Sequence, residues 1–353
     1  MTLAGVFAAQ AAINNIAIEF TPPTWLGGTG MLGGNLQTIW PALYSRRYHG
    51  PHPTYRRERW TTPDNDFIDV DFLVERESDP SGQQPQPEKP LLVVFHGLEG
   101  SSRSHYAEAF ADFASTHQLA YAVPHFRGCS GELNLGPRAY HSGDWQEIDW
   151  ILRRFQREHS GPVIAVGISL GGNALMRWAG EMGESADQVV RAVASVCSPL
   201  DLAAGGHAIG QGFNRQVYTR MFLRSMVPKA LRKLQQHPGL FDGEQLKAAR
   251  DLYAFDNLVT APLHGFKDTE DYWARASAKP HMHRIRLPAL ALNARNDPFV
   301  PAASLPTPSQ VSPHVELWHP RFGGHVGFPT GAFPAHVRAM PDAVGQWLLE
   351  RVG

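Results

Sequence analysis

Gly167-Ile168-Ser169-Leu170-Gly171 is the stretch that decides the fold. It follows the apolar, β-branched run Val163-Ile164-Ala165-Val166 and opens onto residues 172–178, whose pattern is typical of a helix. A serine at a sharp turn between a buried strand and a buried helix takes a strained backbone conformation, which requires small flanking residues. The stretch therefore predicts a nucleophilic serine, Ser169, at the carboxyl end of a strand.

Two residues downstream complete the group that a nucleophilic serine needs. Asp297 comes soon after an apolar run at residues 290–294, and His325 lies in a glycine-rich loop that follows a predicted strand at 315–318. Because the carboxyl ends of parallel strands meet at one edge of a sheet, we expect the three side chains to lie together. His325 would take the proton of Ser169, and Asp297 would orient the imidazole and stabilise its charged form.

A tetrahedral intermediate also needs hydrogen-bond donors for its oxyanion. The backbone N–H of Leu170, directly after the nucleophile, is the first candidate donor. The second is expected in the loop that follows the apolar strand at residues 91–95, where Gly97 lets the chain turn inward and the N–H of Leu98 is the candidate. We expect the neighbouring His96 to bond the loop backbone rather than to act in the chemistry.

Strands and helices alternate through most of the chain, which predicts an α/β protein with a mostly parallel sheet flanked by helices. The alternation stops between residues 200 and 286, where only helical patterns appear. We therefore predict an N-terminal arm at 1–54, a core formed by 55–199 and 287–353, and a helical cap inserted at 200–286.

The predicted cap contains bulky apolar residues at helical spacing. They are more typical of helix packing than of a binding site, but a cap above a catalytic serine can serve both purposes. The candidate substrate-pocket residues are Phe213, Val217, Tyr218, Met221, Phe222 and Met226.

Composition agrees with a small-molecule enzyme. The 353 residues are 43% hydrophobic, and 32 Lys and Arg against 33 Asp and Glu give a net charge of −1, which offers no electrostatic attraction for nucleic acid. Two cysteines, Cys129 and Cys197, predict no disulfide framework and are expected to be small buried residues. We expect no cofactor and no metal, since His281 and His283 lack a third ligand at zinc-site spacing.

The sequence also bears on location. No segment has the 18 or so consecutive apolar residues of a membrane span. The first 18 residues lack the basic region of a signal peptide, since the first basic residue is Arg46. We therefore expect a cytoplasmic protein, with peripheral contact to a membrane surface left open.

Together these motifs resemble those of the YheT-like hydrolases of the α/β-hydrolase superfamily. The resemblance runs from about Thr21 to the end and differs at one motif, where this chain has Asn35-Leu36-Gln37-Thr38 and the family tends to have histidine first. The matching stretches are His96–Ser101, His125–Glu132, Tyr140–Gly143, Gly167–Asn173, Phe255–Phe266, Asp271–Tyr272, Ala294–Phe299 and Gly323–Phe328.

The resemblance implies the α/β-hydrolase fold, the triad Ser169, Asp297 and His325, and hydrolysis of carboxylic esters through an acyl-enzyme. Members are mostly classed as esterases, and some eukaryotic relatives act on phospholipids or transfer acyl groups to alcohols. It therefore favours a small-molecule acyl ester of short to medium chain length as substrate. An acyltransferase and a phospholipid acyl hydrolase are alternatives, and a non-catalytic binding protein is disfavoured because all three triad positions are filled.

Overall fold

The computed structural model describes residues 18–28, 31–74 and 89–352, so residues 1–17 and 29–30 of the predicted arm lie outside it. Its described strands form one eight-stranded sheet in the order β1-β2-β4-β3-β5-β6-β7-β8. They are β1 (Tyr55–Thr61), β2 (Phe67–Leu73), β3 (Leu91–Phe95), β4 (Ala120–Pro124), β5 (Val163–Ile168), β6 (Ala192–Val196), β7 (Ala289–Leu292) and β8 (Val315–Trp318).

The sheet is mostly parallel, as the sequence predicts. β1 pairs antiparallel with β2 and β2 with β4, whereas every pairing from β4 through β8 is parallel. Ile168 pairs with Val196, Val196 with Leu292, and Leu292 with Trp318. The carboxyl ends of β5 to β8 therefore form one row, and the loops that follow them emerge at a single edge.

The helices lie on both faces of the sheet and between β6 and β7. They are α1 (Met31–Leu43), α2 (His105–Thr116), α3 (Trp145–Glu158), α4 (Leu170–Met182), α5 (Leu202–Ile209), α6 (Arg220–Gln236), α7 (Gly243–Ala248), α8 (Leu252–Phe255), α9 (Thr269–Ala276) and α10 (Ala339–Leu349). Short α-helical and π-helical turns adjoin two of them: Gly212–Asn214 and Arg215–Thr219 before α6, and Asp256–Thr260 and Ala261–Leu263 after α8. No helix of the described chain is long and apolar enough to cross a membrane.

The core has two layers because the central strands bury both faces. On β3, Val93 belongs to the cluster that contacts α3 and α4, while its neighbours Leu92 and Val94 belong to the cluster that contacts α2 and α10. Side chains alternate across a strand, so a short run of consecutive apolar residues supplies both layers. Helix α3 shows the complementary pattern, with Ile148, Leu152 and other residues at helical spacing fully buried.

Between β6 and β7 the described chain forms helices and no strand. We call residues 200–286 the helical segment. Its internal packing is divided among small clusters rather than one large core, and one of these, around Tyr218 and Phe299, joins it to the loop after β7. It occupies the place in the chain where the sequence predicts an insertion.

Helix α1 is absent from the sequence-based expectations. The sequence predicts only an N-terminal arm over 1–54, and Gly33, Gly34 and Pro41, which are poor helix formers, lie inside α1. Other differences are confined to boundaries. The sequence pattern predicts a strand over 58–62 and a helix over 102–116, and the structure has β1 from Tyr55 and α2 from His105. Of these differences, only α1 affects the edge formed by the carboxyl ends of β5 to β8, because α1 packs against the loops at that edge.

Candidate active site

The turn between β5 and α4 holds Ser169 in a strained conformation. Its φ is +52° and ψ −116°, a region that non-glycine residues rarely adopt, and its N–H donates to Val196 O at 2.8 Å. The flanking glycines make this turn sterically feasible. A Cβ on Gly167 would lie 2.4 Å from the Cα of Gly172, and one on Gly171 would lie 2.6 Å from the carbonyl oxygen of Phe95.

The structure brings Ser169, His325 and Asp297 together in a hydrogen-bonded chain. Ser169 Oγ lies 3.0 Å from His325 Nε2, and His325 Nδ1 lies 2.9 Å from Asp297 Oδ2. Since a carboxylate accepts and does not donate, the proton of the neutral imidazole belongs on Nδ1, which leaves Nε2 free to accept from the serine hydroxyl. This is the arrangement that a serine nucleophile with an oriented base requires.

The Asp297 carboxylate is itself fixed by backbone donors. Its side chain is fully buried, and its second oxygen accepts from the N–H groups of Phe299 at 2.7 Å and Val300 at 3.3 Å. The Phe299 ring lies 4.1 Å from the His325 ring, centre to centre, and shields the pair on one side. Both carboxylate oxygens are thus engaged, which holds the imidazole in one orientation.

Cys197, directly after β6, lies beside this pair. Its Sγ donates to Gly324 O at 3.6 Å and accepts from the N–H of Val326 at 3.3 Å, and potential metal-ligand atoms of Cys197, Asp297 and His325 lie within 4.8 Å of one another. Burial raises the pKa of the Cys197 thiol well above its usual value, which disfavours the thiolate that a metal would need. The hydrogen bonds of Cys197 and its protonated thiol fit a residue that supports the Asp297–His325 pair better than they fit a metal ligand.

The two residues that carry the candidate oxyanion donors line the same cavity as Ser169. They are Leu98 and Leu170, and neither backbone N–H has a hydrogen-bond acceptor among the residues that the structure describes. The loop that carries Leu98 is held on both sides of it, because the N–H of Gly97 donates to Tyr106 Oη at 2.9 Å and that of Glu99 donates to Tyr140 Oη at 3.0 Å.

His96 bonds the backbone, as expected from the sequence. Its Nδ1 lies 2.7 Å from Gly97 O, and its Nε2 accepts from the N–H of Phe126 at 3.0 Å. Burial lowers the pKa of His96 to about 3, so the ring is neutral and Nδ1 carries the proton. His96 therefore ties the loop before the oxyanion donor to the loop after β4.

Helix α1 supplies contacts that the sequence analysis missed. Thr38 Oγ1 accepts from the backbone N–H of His325 at 2.8 Å. Gln37 Oε1 accepts from the N–H of Gly323 at 3.0 Å and from Asn296 Nδ2 at 2.8 Å. One helix thus holds the loop of the base and the residue next to Asp297.

The contact between α1 and these loops is close enough to exclude a side chain. A Cβ on Gly34 would lie 2.0 Å from Asn296 O, and a Cβ on Gly327 would lie 1.7 Å from Gln37 O. The signal for this role in the sequence is the motif Asn35-Leu36-Gln37-Thr38, whose third and fourth residues make these contacts.

A cavity of about 190 Å³ opens from Ser169 and His325 into the helical segment. Its wall combines residues of the core with residues of α5, α6, α8 and α9. Apolar side chains such as Leu202, Phe255 and Trp273 make up much of the wall. Polar side chains, among them Lys229 and Asp256, lie between them. This is the usual composition of a small-molecule site.

The candidate pocket residues divide between the cavity wall and positions outside it. Phe222 and Met226 line the cavity, but Val217 and Met221 do not, and Met221 is 53% exposed. Val217 directly precedes Tyr218, and Met221 directly precedes Phe222, both of which face inward. One position along a helix corresponds to a rotation of about 100°, so Val217 and Met221 face away from the cavity. Phe213 also lies off the wall and is 49% exposed.

Tyr218 is on the inward face of the helical segment but lies behind the wall. It is buried, packs against Phe299 with ring centres 4.5 Å apart, and donates its hydroxyl hydrogen to Asn35 Oδ1 at 2.6 Å. Tyr218 thus joins the helical segment to α1.

Comparisons with known proteins agree with this geometry. A family model described as the alpha/beta hydrolase fold matches residues 90–332. YheT of Escherichia coli, which is named as an esterase, is 38% identical over 322 residues, and the match covers 90% of this chain and 91% of YheT. The chain belongs to the YheT-like family of α/β-hydrolases.

More distant similarities support the same fold. The phospholipase ABHD3 of Mus musculus is 25% identical over 84% of this YheT-like chain and 72% of its own length. A solved esterase from Pyrococcus furiosus has a TM-score of 0.52 at 16% identity and covers 87% of this chain and 99% of its own. The expectations of an α/β-hydrolase fold and of an esterase-type enzyme are confirmed.

Proposed function

We propose that this YheT-like hydrolase cleaves carboxylic esters by nucleophilic catalysis with Ser169, His325 and Asp297. The observation that carries the proposal is the hydrogen-bonded chain from Ser169 Oγ through His325 to Asp297, with distances of 3.0 Å and 2.9 Å. The strained turn at Ser169 supports it, and so do the N–H groups of Leu98 and Leu170, for which the described residues offer no acceptor.

In the acylation step, Ser169 Oγ attacks the ester carbonyl while His325 Nε2 takes the hydroxyl proton. The carbonyl oxygen gains negative charge and is stabilised by the N–H groups of Leu98 and Leu170. Collapse of the tetrahedral intermediate breaks the ester bond, and the imidazolium returns its proton to the leaving alcohol. Asp297 stays ionised and stabilises the imidazolium.

In the deacylation step, a water molecule takes the place of the alcohol. His325 accepts a proton from the water, the hydroxyl attacks the acyl carbonyl, and the second intermediate releases the carboxylic acid and Ser169 Oγ. The serine regains its proton from the imidazolium, so the site returns to its starting state.

We further propose that the helical segment acts as a cap that binds the acyl chain. Phe222, Met226 and Phe255 line the cavity with apolar surface, and each buried methylene group of an acyl chain contributes about 0.8 kcal/mol. Since the cavity holds only about 190 Å³, short to medium acyl chains are the expected substrates.

The proposal is tested by labelling with a fluorophosphonate, which reacts with activated serines. We expect the wild-type protein and a Ser225→Ala control, altered at an exposed serine of α6, to be labelled and to hydrolyse acyl esters. Ser169→Ala should do neither and should remain folded by circular dichroism. Ester turnover by a folded Ser169→Ala protein would contradict the proposal. Product analysis with added ethanol then separates hydrolysis from acyl transfer.

A further inference from the structure

One part of the cavity wall carries two polar groups that the proposed mechanism does not use. They are the imidazole of His141, on the loop that precedes α3, and the carboxylate of Asp256, in the π-helical turn that follows α8. π-Helical turns occur frequently at functional sites. The hydrogen-bonding state of each group shows what it offers to a ligand.

His141 offers a hydrogen-bond donor. Its Nδ1 accepts from the N–H of Gly143 at 3.2 Å, and burial lowers the pKa of the ring to about 3. The neutral ring must therefore carry its proton on Nε2. The His141 residue is only 9% exposed and lines the cavity, and its Nε2 has no partner within the described ranges. A donor on the cavity wall that the protein leaves without an acceptor is available to a ligand.

Asp256 offers a hydrogen-bond acceptor. One carboxylate oxygen accepts from Thr260 Oγ1 at 2.7 Å and the other from Trp273 Nε1 at 3.0 Å, and both donors are uncharged. Asp256 forms no ion pair with any residue in the described part of the chain. A carboxylate has about four acceptor positions, so roughly two remain after these bonds.

The two groups belong to the same region of the wall. The His141 ring centre lies 4.4 Å from that of His264, and His264 Nδ1 lies 2.8 Å from Thr260 O. Thr260 is the residue whose hydroxyl bonds Asp256, so a short chain of contacts connects the donor to the acceptor. Leu263, Phe255 and other apolar side chains surround them.

The basic side chains of the cavity wall have hydrogen-bonding partners of their own. Lys229 pairs with Glu99 at 2.7 Å, and Lys233 donates to Asn134 O at 2.6 Å and Gly136 O at 2.7 Å. Arg127 pairs with three carboxylates, Asp64, Asp66 and Glu147. Asp256 therefore differs from Lys229 and Arg127, which pair with charged groups, and resembles Lys233 in having only neutral partners.

The combination of one donor and one acceptor selects among ligand groups. A phosphate or carboxylate would meet the charge of Asp256, and an ammonium group would leave the His141 N–H without an acceptor. A hydroxyl group can accept from His141 and can donate to Asp256, so hydroxyl groups are compatible with both. We propose that His141 and Asp256 form a subsite for a hydroxyl group of the substrate, so that esters carrying a hydroxyl away from the scissile bond are preferred. This inference rests on the proposed esterase function.

The test compares esters that differ only in their hydroxyl groups. One pair places hydroxyls in the alcohol part, as propyl and glyceryl hexanoate; the other places one in the acyl part, as the propyl esters of hexanoic acid and of its ω-hydroxy derivative. We expect the wild-type enzyme to favour the hydroxylated ester of at least one pair by about tenfold or more in kcat/KM. The pair that shows the preference identifies which part of the substrate enters the subsite.

Two variants assign the preference to the named residues. Asp256→Asn keeps the size of the side chain but replaces an acceptor by a donor, and His141→Asn keeps an acceptor for the N–H of Gly143 but removes the Nε2 donor. We expect each variant to reduce the preference below about threefold, since a lost hydrogen bond of this kind accounts for most of it. Met221→Ala, an apolar change on the exposed side of α6, should leave kcat/KM for both esters of a pair unchanged.

Fluorophosphonate labelling of Ser169 shows that each variant is folded. Equal kcat/KM within both ester pairs for the wild-type enzyme would overturn the subsite while leaving the esterase function standing. A wild-type preference that persists in both labelled variants would overturn its assignment to His141 and Asp256. Absence of both labelling and turnover in the wild-type enzyme would overturn the proposed function, and this inference with it.

Discussion

The catalytic edge of the sheet and the helical segment beside it are held by different kinds of contact. At the edge, backbone groups approach so closely that a Cβ on Gly34, Gly171 or Gly327 would overlap main-chain oxygen atoms. The helical segment is held by small apolar clusters and by side-chain bonds such as that from Lys229 to Glu99. We infer that the edge tolerates almost no added atom, whereas the segment can change the shape of the cavity without destroying catalysis.

The largest expected effect comes from substitutions in the triad itself. Asp297→Asn and His325→Ala should each lower kcat by about 10³-fold or more, because the imidazole loses its orientation or is removed. Combining either with Ser169→Ala should add little, since the three residues act as a unit. Steady-state kinetics on one acyl ester checks both points, and losses that multiply in the double variants would contradict a single catalytic unit.

The next effect tests the close approach of α1. Gly34→Ala should stabilise an ordinary helix, but here the added Cβ would meet Asn296 O, beside Asp297. We expect a destabilisation of about 1–3 kcal/mol and a fall in kcat of about 10²-fold, as for a displacement of about 1 Å in a catalytic group. Thermal unfolding and kinetics measure the two effects.

Gly28→Ala is the matched control for this prediction. Gly28 precedes α1, and a Cβ there would have no neighbour within 4 Å. It should leave the melting temperature and kcat close to those of the wild-type protein. Equal behaviour of the two alanine variants would show that α1 does not position the catalytic loops.

Removal of the Thr38 hydroxyl of α1 should have a smaller effect. Thr38→Val preserves the size of the side chain but removes the acceptor of the His325 N–H and also the donor to Gly34 O at 2.7 Å. We expect kcat to fall about tenfold, which corresponds to about 1.4 kcal/mol, with little change in KM, because the base rather than the substrate is displaced. Thr38→Ser retains the hydroxyl and should restore most of the rate; failure to do so would assign the loss to packing.

The sequence predicts the fold more completely than it predicts the contacts that hold the catalytic loops in place. The alternation of strands and helices, the turn at Ser169 and the order of Asp297 and His325 are local patterns, and one principle, that parallel strands end at a common edge, connects them. Helix α1 has no such signal: Gly33, Gly34 and Pro41 oppose helix formation in isolation.

Only the tertiary contact explains these residues of α1. Gly34 is required by the approach of Asn296, a contact between positions more than 250 residues apart that no local pattern encodes. The cavity wall is a second case in which a local sequence pattern does not encode the tertiary contacts. The spacing of Phe222 and Met226 identifies one face of α6, but it does not say that Val217 and Met221 lie outside the cavity. Which face meets the substrate depends on what the helix packs against.

The helical segment should respond in specificity rather than in rate. Phe222→Ala enlarges the cavity, so we expect the optimum of kcat/KM to move to acyl chains longer by one or two methylene groups, each worth about 0.8 kcal/mol. Met221→Ala, one position away and 53% exposed, should leave the optimum in place. A chain-length series of esters checks this, and a profile unaltered by Phe222→Ala would mean that the acyl chain lies elsewhere.

The smallest expected effect lies where the edge and the helical segment meet. Asn35 is buried in α1, and its Oδ1 accepts from the hydroxyl of Tyr218 at 2.6 Å. In Asn35→His, which introduces the residue that the family tends to have, a ring nitrogen can accept the same hydrogen. We therefore expect ester turnover to change by less than about threefold and the melting temperature by a few degrees. A rise in kcat of about tenfold or more, equivalent to about 1.4 kcal/mol, would instead place residue 35 in the chemistry and make α1 more than a support for the catalytic loops.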